Sequence, residues 1–240
     1  MPLDDPLEAR VAALNTSLRH HAAADVLRRA FDDTPNLALV SSFGAESVAL
    51  LHLASKVRPD VQVIFIDTMM LFPETLTYQR EVARKLGLRR VQVVRADTAA
   101  GDPDGTLHRR DPNACCDLRK TDVLEQALRG YGGWITGRKR FQSGSRTDLP
   151  AFEVEASSGR LKVNPLAHWS TRDVADYMEE NALPRHPLVA RGYASIGCAP
   201  CTTPVAAGED PRAGRWRGQS KEECGIHFVE GRMVRAGAPS

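Results

Sequence analysis

The chain lacks almost every feature that would direct it to a membrane or a nucleic acid. Its formal net charge is only +2 over 240 residues, so no strong overall field favours either partner. Aromatic residues make up 6%, too few to offer an obvious platform for stacking bases. The longest apolar runs, such as Val61 to Ile66, are far too short to span a bilayer. Met1 to Glu8 shows neither the basic nor the apolar region of a secretory signal. No repeat, low-complexity tract or heptad is present, so the oligomeric state is unreadable. The expectation is a soluble cytoplasmic protein with no nucleic-acid or membrane partner. Two nucleotide-site signatures are missing too: a Walker lysine and a G-x-G-x-x-G turn.

What is present is an alternation of strands and helices. Residues 6 to 31 carry a helical stripe of Leu7, Val11, Leu14, Leu18, Val26 and Leu27. Short apolar runs predict strands at Asn36–Ser41, Val61–Ile66, Val91–Arg95 and Trp134–Thr136. Helical patterns separate them at Val48–Ser55, Glu74–Leu86 (entered by Pro73) and Cys115–Leu128, with a further one at Thr171–Asn181. This order predicts an α/β, doubly wound, mostly parallel sheet covered on both faces. The expected organisation is an N-terminal helical segment over 1–35, a nucleotide-binding domain over 36–210 and a mobile tail over 211–240. Thr98–Asn113, rich in Gly, Asp and Pro, reads as a loop, as does the irregular stretch from Leu183 to Ser220.

Three groups of residues fall where such a sheet binds ligands, at the carboxyl ends of its strands. The turn after the first strand, Ser41-Ser-Phe-Gly-Ala-Glu-Ser47, offers the hydroxyls of Ser41, Ser42 and Ser47, with Phe43 and Gly44 between them. Its amides and the following helix N-terminus suit an anion. The second strand ends in Asp67-Thr68 at the same edge. Cations gather nearby: Arg119-Lys120, Arg138 to Arg146, then Arg212, Arg215 and Arg217. Arginine suits bidentate contact with phosphate or sulfate, so an anionic substrate is expected.

The five cysteines divide the remaining chemistry. Cys115-Cys116 and Cys198-x-x-Cys201 can share one metal centre, whereas Cys224 stands apart in Lys221-Glu-Glu-Cys-Gly-Ile-His227. Reduced, clustered thiols are more often metal-binding or catalytic than disulfide-bonded. Adjacent helical cysteines diverge by about 100°, which suits the separate corners of a [4Fe–4S] cluster better than one zinc ion. The plainer reading makes Cys115 and Cys116 small buried apolar groups and Cys198/Cys201 a redox pair. Lys221 and His227 can stabilise a Cys224 thiolate, the nucleophilic form, although Glu222 and Glu223 oppose it.

Taken in order, Ser-Phe-Gly-Ala-Glu-Ser, Ile-Asp-Thr, Cys-Cys-x-x-Arg-Lys, Trp-Ile-Thr-Gly-Arg, Gly197-Cys-x-Pro-Cys-Thr-x-Pro204, Gly208-Glu-Asp-x-Arg-Ala-Gly-Arg-Trp216 and Glu223-Cys-Gly-Ile-His are a specific set. The chain resembles the assimilatory adenylyl-sulfate reductases, the iron–sulfur branch of the phosphoadenylyl-sulfate (PAPS) reductase family, from about Ser41 to His227. The resemblance implies a Rossmann-like sheet of the adenine nucleotide alpha hydrolase type. It also implies adenylyl sulfate (APS) as substrate and thioredoxin or glutaredoxin as reductant. Cys224 would attack the sulfonyl sulfur, expel AMP and become an S-sulfocysteine. Ser41, Ser42, Phe43, Gly44, Ser47, Asp67, Thr68, Lys120, Arg138, Arg146, Arg212 and Arg215 would hold the substrate. Cys115, Cys116, Cys198 and Cys201 would hold a [4Fe–4S] cluster with an electrostatic and structural role.

The chain departs from the family pattern at Phe141, where an acidic residue is usual, at Met69 in place of glycine, and at Thr121-Asp122, which lacks the usual proline. Three alternatives stand beside the main reading. One is a reductase of the 3′-phosphorylated nucleotide. Another is an ATP-dependent tRNA thiolase of the same fold, which would carry Ser-Gly-Gly-x-Asp-Ser in the first turn. The third is a zinc-stapled binding module.

Overall fold

The computed structural model describes residues 6–142, 146–219 and 221. Six strands form one sheet in the order β3-β2-β1-β4-β6-β5. β1 (Leu37–Val40), β2 (Gln62–Ile66), β3 (Val91–Val94) and β4 (Gly133–Ile135) lie where the apolar runs predict, all parallel. β6 (Leu161–Val163) continues the parallel sheet, and β5 (Phe152–Val154) closes that edge antiparallel. This last hairpin has no counterpart among the expected strands; its runs of three residues are too short to show a period.

Strand alternation sorts the core into two layers. Leu37, Leu39, Val63, Phe65 and Ile135 face one layer, and Ala38, Ile64, Ile66 and Trp134 face the other. The first is covered by α1 (Pro6–Ser17), α2 (Ala23–Asp33), α3 (Ser47–Val57), α4 (Pro73–Lys85) and α8 (Thr171–Glu180). The expected 6–31 helix is thus two helices that break at residues 18–22. Both pack into the main core, through Val11, Leu14, Val26, Leu27 and Phe31.

The opposite layer is covered from α7 (Asp122–Ala127) through Val123 and Leu124. The predicted 115–128 helix starts earlier and is not uniform. A short α5 (Leu107–Arg110) precedes α6 (Pro112–Cys116), which is capped by the Asp111 carboxylate accepting the Asn113 and Ala114 amides. A π-helical turn, Asp117–Thr121, then joins α6 to α7. Such widened turns often occur at functional sites.

The chain runs β1-β2-β3 toward one edge and then returns to place β4 on the other side of β1. The order therefore reverses between β1 and β4, where open α/β sheets leave a crevice at the strand ends. No helix among the described residues is long and apolar enough to cross a membrane.

Candidate active site and four-thiol centre

A cavity of about 460 Å³ opens at that reversal. The β1–α3 turn supplies one wall. The Ser41 hydroxyl accepts the Phe43 amide at 3.2 Å, and the Ser47 hydroxyl accepts the Gly44 amide at 3.0 Å, folding the loop over the strand end. Ser41, Ser42, Gly44 and Ser47 all line the cavity, together with Thr68 from the end of β2. Phe43 does not. Its backbone takes a φ of 47°, and its fully buried ring meets Phe65 edge-on in the core. Asp67 is also turned away: its carboxylate accepts the Met69 amide at 2.9 Å and pairs with Arg95 at 2.8 Å. Asp67 ends on the lip of the sheet because the same strand must bury Ile66 on the opposite side.

The β4 end supplies the facing wall. Arg138 is buried, donating to Asn164 Oδ1 at 3.2 Å and pairing with Glu153. Arg146 donates to Gln142 Oε1 at 2.6 Å. Both line the cavity, as do Lys120, Arg212 and Arg215. Arg215 is the most specifically placed. Its guanidinium stacks over the Trp216 ring at 4.3 Å, and its buried Nε has no hydrogen-bond partner among the described residues. A buried guanidinium N–H without a partner is costly unless something completes it. Gly197 makes this placement possible, since a Cβ there would stand 2.4 Å from Arg215 Nη2.

A second, smaller pocket adjoins the first, and Lys120 and Trp216 line both. Cys115, Cys116, Cys198 and Cys201 all face this second pocket, and all are free of disulfides. The π-helical turn directs Arg119 and Lys120 to the same place. The other pair comes from a tight turn at 198–201. There Cys201 N donates to Cys198 O at 3.0 Å, Ala199 N to Met70 O at 2.7 Å and Trp216 N to Cys201 O at 3.0 Å. The Ala199–Met70 bond ties this turn to the loop that follows β2, and the Trp216–Cys201 bond ties it to the segment before Arg217.

The thiols are not electrostatically equal. Burial pushes Cys115 up to about 11, with Cys116 adding to the effect. Cys201 is raised by burial and by Cys198 and Cys116. Burial also opposes ionisation of Cys198. Lys120, the Thr68 hydroxyl 3.2 Å away and Arg215 together outweigh it, so this thiol lies below its ordinary value. Four thiols around one pocket are a soft donor set suited to iron or zinc. Among the described residues, no three Cys, His, Asp or Glu are grouped to hold a single ion.

One buried network supports this centre and was invisible in the loop-like Thr98–Asn113 sequence. Asp102 Oδ2 accepts Arg119 Nη2 at 2.6 Å and Nε at 3.1 Å, and Arg119 Nη1 donates to Thr68 O at 2.8 Å. Arg119 therefore joins the cysteine helix to the same threonine that touches Cys198. No local signal marks Asp102, because its partner lies across the fold. Glu46, Lys139 and Trp216, all lining the main cavity, are likewise absent from the residues expected to bind substrate. Cys224, the expected nucleophile, lies outside the described residues. Lys221 before it reaches back to α6, donating to Pro112 O at 3.0 Å and Asn113 Oδ1 at 2.7 Å.

Comparison with known proteins agrees with this layout. Residues 36–204 match the model of the phosphoadenosine phosphosulfate reductase domain. The chain is 46% identical to the adenosine 5'-phosphosulfate reductase of Mesorhizobium japonicum, over 94% of this chain and 90% of that protein. It is 41% identical to the phosphoadenosine 5'-phosphosulfate reductase of Gloeobacter violaceus, over 83% and 84%. Among solved structures, the phosphoadenylyl-sulfate reductase of Candida auris, a phosphate complex, superposes with a TM-score of 0.72. That likeness has 30% identity and covers 85% of this chain and 99% of the other. With the family model spanning more than half of its length and these relatives covering most of it, the chain belongs to the phosphoadenosine phosphosulfate reductase family.

Proposed function

We propose that the chain reduces adenylyl sulfate to sulfite and AMP, in sulfate assimilation, with Cys224 as nucleophile and thioredoxin or glutaredoxin as reductant. The observation that carries the reading is the unmatched, buried Arg215 donor in a cation-rich cavity that shares Lys120 and Trp216 with the four-thiol pocket. The serine loop and the N-terminus of α3 would receive the phosphosulfate, with Lys120, Arg138, Arg146, Arg212 and Arg215 compensating its charge. That compensation matters because a thiolate must approach an anionic sulfonyl group, and fixed cations remove the repulsion in advance.

The chemistry balances without an external oxidant. Cys224 thiolate forms a bond to the sulfonyl sulfur as the bond between that sulfur and the bridging oxygen breaks, and AMP leaves with that oxygen and the electron pair. A reductant thiolate then attacks Cys224 Sγ and releases sulfite, leaving a mixed disulfide. The reductant's second thiol resolves this disulfide and restores Cys224. Lys221, three residues before Cys224 in the sequence, donates to Pro112 O and Asn113 Oδ1 of α6.

Cys115, Cys116, Cys198 and Cys201 would hold a [4Fe–4S] cluster. Four thiols facing one pocket, two of them adjacent on a helix, suit the separate corners of a multi-iron group better than one zinc. When bound, it would add positive potential beside the substrate and staple the 198–201 turn to the cysteine helix. The test is anaerobic purification followed by iron and sulfide analysis and a sulfite-release assay with APS and thioredoxin. Iron-loaded protein that loses sulfite release on Cys224→Ser supports the proposal. Zinc in place of iron, or sulfite release surviving the substitution, overturns the corresponding part.

The name of the Gloeobacter relative favours a second reading, reduction of the 3′-phosphorylated nucleotide, on the same cavity.

A further inference from the structure

Trp134, Lys162 and Glu153 stand level with one another on β4, β6 and β5. Trp134 pairs with Lys162 in the parallel register, and Lys162 pairs with Glu153 in the antiparallel one. Strand alternation puts this row on the face away from Leu161, Val163 and Phe152, which fill the main core. On the same face the inner strands carry Ala38 and Ile64, so a lysine and a glutamate here break the apolar pattern. Lys162 is 3% exposed, and Asn164, just past β6, is fully buried. Polar groups in such a place are informative, because burial is tolerated only when they are matched.

The matching converges on Glu153. Its carboxylate pairs with Arg138, lies 3.7 Å from Lys162 Nζ and accepts Asn164 Nδ2 at 3.4 Å. Asn164 Oδ1 in turn accepts Arg138 Nε, and the Lys162 ammonium sits 4.6 Å from the centre of the Trp134 ring. Arg138 and Trp134 line the main cavity, whereas Glu153, Lys162 and Asn164 do not. The strand that carries Glu153 is itself fixed from outside. Asn15 of α1 donates to Phe152 O at 2.8 Å and accepts the Phe152 amide at 3.0 Å, as a neighbouring strand would. Glu153 is thus one residue from a locked position, with its carboxylate on a guanidinium that borders the cavity.

We propose that Glu153 is a positioning residue for the reaction: it acts through Arg138, holding that guanidinium at the cavity wall in the orientation that receives the anionic arm of the sulfonucleotide. This rests on the APS reading above and deepens it. Lys162 balances the same carboxylate from below, so Glu153 is held between two cations and cannot follow Arg138 if it swings away. An arginine left to itself has many rotamers, and fixing it in advance spares the ligand that ordering cost.

The test is a double-mutant cycle on the full-length enzyme, with kcat and KM for APS measured in the wild type, Glu153→Gln, Arg138→Met and the double variant. Glu153→Gln, which keeps the shape and removes the charge, should lower kcat/KM by about fivefold when Arg138 is present. In the Arg138→Met background the same substitution should cost less than about twofold. A merely structural role would cost as much in both backgrounds. Equal losses in an active enzyme, or a kcat/KM that Glu153→Gln leaves unchanged, therefore overturn the inference alone. If Glu153→Gln fails to fold, Glu153→Asp carries the same cycle, since it keeps a charge for Lys162 and draws it back from Arg138. A wild-type enzyme that releases no sulfite from APS overturns the proposed function and this inference with it, so the two failures are distinguishable.

Discussion

The two pockets that meet at Lys120 and Trp216 are built in opposite ways. The larger is a product of topology. Its walls are strand-end loops that any sheet reversing between β1 and β4 would place face to face, and its side chains are already held by protein partners such as Asn164, Gln142 and Glu46. The smaller is a product of two local devices, a π-helical turn and a tight 198–201 turn, whose thiols face one another without bonding in pairs. The first is pre-organised by those partners. In the second, burial opposes ionisation of Cys115 and Cys201, whereas Lys120, Thr68 and Arg215 favour it at Cys198.

The comparison can be broken in several ways, beginning with the largest effect. Cys224→Ser should reduce sulfite release by at least about a thousandfold while leaving nucleotide affinity and iron content intact. Equilibrium dialysis with AMP and iron analysis check this, and loss of iron would place Cys224 with the other four thiols.

Asp102→Asn should damage the thiol side alone. It strips the counter-charge from a buried arginine that holds Thr68 and the cysteine helix together. Breaking one partner of such a pair costs about 3 kcal/mol, readable by urea denaturation, and cluster retention should fall with it. An unchanged midpoint would show that Arg119 finds its stability elsewhere.

His186 offers a control at a side chain that lines neither pocket. It is buried between α4 and the 187–191 turn, where Nδ1 accepts the Leu188 amide, so the Nε2–H donates to Thr75 Oγ1 at 3.1 Å. Burial lowers its pKa from 6.5 to about 4, despite Glu74. The folded form therefore favours the neutral ring. Its contribution is complete above pH 6.5 and is lost as the pH falls from there toward 4, where the unfolded chain binds the extra proton. On the order of 2 kcal/mol should disappear over that interval. A His186→Asn variant should be less stable at neutral pH and show a flatter acid limb in thermal melts.

The smallest effect sharpens the contrast. Gly197→Ala should displace Arg215 without touching any cysteine, lowering kcat/KM by about tenfold while iron content stays at the wild-type level. Iron loss in that variant would show that the two pockets are mechanically one.

Much of this was legible in advance where chemistry is local. The four inner strands come from unbroken apolar runs, and the helices between them from period and from Pro73. The cysteine grouping and the serine turn were readable because their residues are adjacent in the chain. The hairpin of β5 and β6 was not, since three-residue strands carry no period. The π turn escaped as well, because one widened turn leaves the composition of a helix unchanged.

The sequence alone determined the strand–helix order, the two close cysteine pairs at 115–116 and 198–201, and the supply of cations near strand ends, because each depends on neighbours within a few residues. Only the tertiary structure decided which of those groups face a common space. It turned Phe43 and Asp67 away, set Glu46 against Lys139 and buried Asp102 on Arg119. Those pairings join residues far apart in the chain, and their strength depends on burial, which no stretch of sequence carries by itself.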